Sequence, residues 1–142
     1  MMSATRGQWS GRAEPSVVAE FRHAAGAFAG DAGFSGMFLA DVRACVSEAV
    51  TNSVVHAFRD GRAPGTVTLS VELSADELVC IVEDDGTGFR PRVDSPGIGL
   101  GLPTIAAATA SMSLTLADTG GTRLCMAFTR EPAIVTAAVL TT

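Results

Sequence analysis

Glu48 and Asn52 stand four residues apart in Val46–Phe58, VSEAVTNSVVHAF, and His56 follows at the same interval. Side chains with that spacing lie one above another on a single face of a helix. A carboxylate beside an amide aims oxygen and nitrogen groups at one place. Oxygen ligands of this kind suit Mg²⁺, which keeps several waters and is held by one or two protein groups together with substrate phosphates. His56 is about 12 Å from Glu48 along the axis at a rise of 1.5 Å per residue. That is too far for the same catalytic group, and it reads as a packing or hydrogen-bonding residue at the helix end. An isolated E-x-x-x-N is common on solvated helix faces, so its meaning depends on what else the chain supplies.

Three further stretches supply it. In DDGTGF, Asp84 follows an apolar run directly and Gly86 and Gly88 let the backbone turn and come close to a ligand. A buried carboxylate there can accept a hydrogen bond from an exocyclic amine. In GIGLGL, Gly97, Gly99 and Gly101 alternate just ahead of a helical pattern. Converging backbone N–H groups and the partial positive charge of a helix start could hold phosphate there without a lysine. The G-x-G-x-G spacing is not the dinucleotide fingerprint, and Gly-Lys-Ser is missing, so it is not a P-loop. Gly120, Gly121 and Thr122 close the series in a late hairpin.

The elements that must position these groups are legible from periodicity. A first helix is predicted from Pro15, suited to a helix start, through Val18, Phe21, Ala25 and Phe28 to Gly30. A second, amphipathic helix runs from Leu39 to Phe58 and ends before RDGRAPG. TVTLSVEL, residues 66–73, alternates as a half-buried strand, and LVCIVE, residues 78–83, is apolar almost throughout, as a central strand would be. LPTIAAATA forms a short helix, and SMSLTLAD and TRLCMAFT are two more strands around the TGG turn. Residues 1–14 read as a flexible tail or at most a short edge strand, 15–130 as one domain, and 131–142 as a tail or edge strand. Helices first and strands after predict an α+β two-layer sandwich, its mostly antiparallel sheet covered by helices on one face.

Bulk properties narrow the function classes. A chain of 142 residues with 47% hydrophobic and 18% charged residues suits one packed domain. A net charge of −5, with scattered basic residues, disfavours a nucleic-acid partner. Cys45, Cys80 and Cys125 each sit in apolar runs, which points to buried free thiols in a reducing compartment. No stretch is long and apolar enough for a membrane span or a signal peptide, so a cytoplasmic protein is expected.

With E-x-x-x-N, D-x-G-x-G, G-x-G-x-G and G-T in that order, the chain resembles the GHKL ATPases, the group that includes gyrase, histidine kinases and MutL. Their Bergerat nucleotide site is built from such boxes. SEAVTNSVVHAF resembles the N box of bacterial anti-sigma-factor serine kinases more than that of sensor histidine kinases, and the similarity runs from about Pro15 to Thr129. The resemblance implies the following roles. Glu48 is the catalytic base and Asn52 the Mg²⁺ ligand. Asp84 reads the adenine amino group, and Gly86 and Gly88 line the base. Gly97, Gly99 and Gly101 belong to the phosphate-binding end of the lid, and Thr122 makes the late contact near adenine. It also implies ATP and Mg²⁺ as cofactors. The activity implied is serine/threonine kinase activity on a STAS-type anti-anti-sigma protein, alternating with sequestration of a sigma factor by a possible homodimer. The departure is a short lid: ten residues, Phe89 to Ile98, separate Gly88 from Gly99, and no arginine stands just ahead of the glycines. A nucleotide-dependent sequestering module without transfer, or a detached histidine-kinase ATPase domain, are the alternatives.

Overall fold

The computed structural model describes residues 5–56, 65–86 and 101–130. They form strand β1 (Arg6–Arg12), helices α1 (Pro15–Asp31) and α2 (Gly36–His56), strands β2 (Thr66–Leu73) and β3 (Glu77–Asp84), helix α3 (Gly101–Ala108) and strands β4 (Ser111–Leu116) and β5 (Thr122–Thr129).

The helices take their places through apolar stripes. On α1 the buried line is Val17, Phe21, Ala25 and Ala29, one residue off the predicted stripe at its start, with Val18 and Phe28 packed beside it. Pro15 occupies the first turn, where its missing N–H costs nothing. The helix closes with the Phe34 N–H donating to the Ala29 carbonyl at 2.9 Å, across Gly33 at φ 102°. Glycine takes that left-handed turn without strain, and Phe34, 3% exposed, then drops into the core. On α2, Val42, Cys45, Val46, Ala49 and Val50 are buried against the sheet.

All strand pairs are antiparallel, in the order β1-β2-β3-β5-β4. Alternation puts one residue in two beneath the helices: Val67, Leu69 and Val71 of β2, Leu78, Cys80 and Val82 of β3, and Leu124, Met126 and Phe128 of β5 are all buried. Register aligns Trp9, Leu69, Val82, Leu124 and Leu114 in one row across the sheet. Cys45 and Cys80 lie wholly inside, and burial pushes their thiols up to about 11 and about 12. Protonated at neutral pH, they act as small core hydrophobes, as their apolar surroundings predict.

Within the residues expected as a tail or at most a short edge strand, Arg6–Arg12 pairs with β2 along its whole length. The edge strand forms because Trp9 points inward and meets Phe28 of α1 edge to face, with ring centroids 6.5 Å apart. Its inward neighbours are Gly7 and Gly11, which carry no side chain, so the alternation is invisible in the sequence. Among the described residues no helix is long and apolar enough to cross a membrane. Residues 131–142 lie outside the described residues.

Candidate functional site

Asp84 is the last residue of β3 and, by alternation, shares the helix-facing side of the sheet with Val67 and Val82. It is 4% exposed. A carboxylate buried this far costs several kcal/mol unless hydrogen bonds replace its water. Three donors do so. The Gly86 N–H donates to Oδ1 at 3.0 Å, the Thr122 N–H to the same oxygen at 3.2 Å, and the Ser53 hydroxyl to Oδ2 at 2.9 Å. Burial still wins: it holds the Asp84 carboxyl above the usual carboxylate range, helped by the charge of Asp85, while the bonds from Gly86, Ser53 and Thr122 pull it back. Asp85 faces the other way, its Oδ1 accepting the Thr66 N–H at 2.9 Å, so the two adjacent acids part because a strand alternates.

Three elements converge on this carboxylate. β3 delivers it, α2 covers it with Ser53, and the first residue of β5, Thr122, comes in from the turn that precedes it. The turn is locked from beneath: the Thr119 hydroxyl donates to the Asp84 carbonyl at 3.1 Å and accepts the Gly121 N–H at 3.4 Å. Gly121 is buried, and a Cβ there would overlap the Asp84 carbonyl oxygen and stand 2.7 Å from Oδ1. Gly121→Ala is therefore expected to lower stability by about 2 kcal/mol, as overpacking against backbone does. Chemical denaturation checks it, and an unchanged midpoint would show that the turn can retreat freely.

A family model described as "Histidine kinase-like ATPase domain" matches residues 11–128. The chain belongs to this family. Among relatives of this ATPase domain, the serine-protein kinase RsbW of Listeria innocua is 40% identical over 87 residues, covering 61% of this chain and 55% of that one. The anti-sigma F factor of Clostridium novyi is 31% identical over 99 residues, covering 62% of this chain and 68% of the relative. The chain thus spans about half the length of the RsbW relative, 55%. A crystal structure of RsbU and RsbW domains from Mycobacterium tuberculosis superposes with a TM-score of 0.70 at 18% identity, over 90% of this chain and 34% of that chain. The α+β sandwich expected from the order of elements is the fold of this neighbour.

Of the residues singled out from the sequence, Asp84, Gly86 and Thr122 are joined directly by hydrogen bonds. Glu48 and Asn52 are half-buried on α2. At roughly 100° per residue, they lie within about 40° of each other and Asn52 is turned about 100° from Ser53. Neither is among the three donors to the Asp84 carboxylate. Gly101 is the first residue of α3, which packs against α2. Gly88, Gly97 and Gly99 lie outside the described residues, and of His56 only the backbone, at the end of α2, is described.

Sequence reasoning missed Ser53, Thr119 and the tightness at Gly121. Ser53 had a signal, because it is a hydroxyl on the core-facing stripe one turn beyond Ala49 and Val50. Thr119 had none, since its role depends on the β3–β5 pairing. A separate hollow between Phe34, Phe38, Asp41, Ala108 and Phe128, at the other end of β5, contains none of these residues.

Proposed function

We propose that the chain binds ATP at the end of β3 and acts as an anti-sigma regulatory factor of the serine/threonine kinase type. It would transfer the γ-phosphate to a STAS-type anti-anti-sigma protein and, in alternation, sequester a sigma factor. One observation carries the nucleotide reading: the buried, triply hydrogen-bonded carboxylate of Asp84. An ionised carboxylate offers about four in-plane acceptor positions. Among the described residues, Gly86, Thr122 and Ser53 fill three of them, which leaves one on Oδ2 for a single N–H donor. The exocyclic amine of adenine is such a donor, and an apolar site with one aimed polar group is the usual form of a base pocket.

Glu48 and Asn52, half-buried one helical step apart, would lie toward the phosphates. Among the described residues no three His, Cys, Asp or Glu side chains gather as a metal site. The donor set therefore fits an ion held mainly by phosphate oxygens with one amide oxygen, which is how Mg²⁺ is bound with nucleotides. Asn52 would be that ligand, and the ion would neutralise charge on the phosphates. Glu48 would accept the proton of a serine or threonine hydroxyl as its oxygen bonds to the γ-phosphorus and the bond to the bridging oxygen breaks, leaving ADP. The serine-protein kinase name of the RsbW relatives supports transfer to a serine hydroxyl.

Titration calorimetry with Mg-ATP and Mg-ADP tests the binding, and incubation with γ-labelled ATP and a STAS protein from the same genome tests the transfer. Acid-stable label on the partner supports the kinase. Binding without transfer supports the sequestering module, which the ten-residue lid favours. Acid-labile label supports a histidine-kinase domain. Absence of nucleotide binding overturns the proposal.

A further inference from the structure

We infer that Ser53 is the positioning residue that makes the site read an amino purine and refuse an oxo purine. The inference rests on the nucleotide reading above and concerns a residue that reading leaves without a role. Ser53 is 7% exposed, and its hydroxyl reaches Asp84 Oδ2 from α2 at 2.9 Å. The other two donors, the Gly86 and Thr122 N–H groups, both end on Oδ1. Ser53 is thus the one donor among these three that holds Oδ2, the oxygen that among the described residues keeps an acceptor position.

Two consequences follow from the chemistry of the three donors. Backbone N–H groups can only donate, so Oδ1 is committed, whereas removing the serine oxygen frees Oδ2 completely. With Ser53 in place, Oδ2 presents a fixed lone pair. An exocyclic amine satisfies it, while the carbonyl oxygen of a 6-oxo purine sets acceptor against acceptor in a place too dry to relieve it. Without Ser53, Oδ2 is no longer held by a third donor and can shift to accept the ring N–H that a 6-oxo purine carries beside its carbonyl, so either kind of base is tolerated.

The test compares ATP with inosine triphosphate, which differs at the 6-position, by calorimetry on the full chain. The wild type should prefer ATP strongly. Ser53→Ala should weaken ATP about tenfold, the usual consequence of losing one bond to a charged group, and leave inosine triphosphate unchanged or tighter, so that the preference falls by tenfold or more. Ser53→Thr, which keeps the hydroxyl, should restore it. A Ser53→Ala variant that retains the wild-type preference, or that loses both ligands equally together with thermal stability, overturns the inference while the nucleotide reading stands. A wild type that binds both triphosphates alike overturns the inference and leaves nucleotide binding standing, whereas one that binds neither removes both.

Discussion

Glu48→Gln is expected to lower phosphoryl transfer by a factor of about 10² to 10⁴, the range a positioned general base contributes. Mg-ATP affinity should be nearly unchanged. The substitution keeps the shape of the side chain and its hydrogen-bonding reach but removes the group that takes the proton. Glu48 is half-buried on the flank of α2, away from the core stripe through Cys45, Val46 and Ala49, so no packing is lost. A single-turnover assay following label from ATP to the partner separates this from a binding defect. Transfer at the wild-type rate would remove Glu48 from the mechanism, and a parallel loss of affinity would make it a ligand contact.

Asp84→Asn should weaken adenine-nucleotide binding by about 2 to 3 kcal/mol, roughly 30- to 150-fold, because an amide nitrogen would then meet the amine of the base donor to donor. The fold should survive and melt at the same temperature or higher. The amide oxygen can keep the bonds from Gly86 and Thr122, and the Ser53 hydroxyl can turn to accept from the new NH₂. The cost of burying a charge disappears with the charge. Unaltered ATP affinity in this variant would overturn the site assignment.

The same residue sets a pH dependence. Burial raises the Asp84 carboxyl above the usual carboxylate range, with Asp85 adding to the shift. On acidification the folded chain therefore takes up this proton before the unfolded chain does. Its contribution to stability is fully present below the unfolded value and is lost as pH rises through the folded one. Nucleotide binding runs the other way, since only the ionised carboxylate accepts the amine, and affinity should fall as pH drops through the raised value. Asp84→Asn should flatten both profiles. Calorimetry and melting curves across the weakly acidic range check the pair of opposite slopes.

Local patterning sufficed for most of the elements and for the face that each of them buries. Alternation in TVTLSVEL and the TGG turn ahead of TRLCMAFT give strands whose ends agree with β2 and β5, and the 3.6-residue rhythm gives α2 its stripe. Periodicity works there because burial on one side is a local demand, repeated every second residue or every turn. It also placed Asp84 at a strand end. β1 escaped it because two of the three inward positions in RGQWSGR are glycines, which leave Trp9 as a single apolar mark.

Which strands become neighbours is a long-range matter, and it decides the site. β5 returns between β3 and β4, which sets Arg123 opposite Glu83 and brings Thr122, Thr119 and Gly121 to Asp84, across 35 or more residues of chain. No local pattern specifies that choice, since every inward-facing apolar strand could pair with any other on hydropathy alone. The pairing is settled by the summed packing of rows such as Leu69, Val82 and Leu124 under α2. The same docking of α2 turns Ser53 from an irregularity in an apolar stripe into a donor that fixes one oxygen of a buried carboxylate.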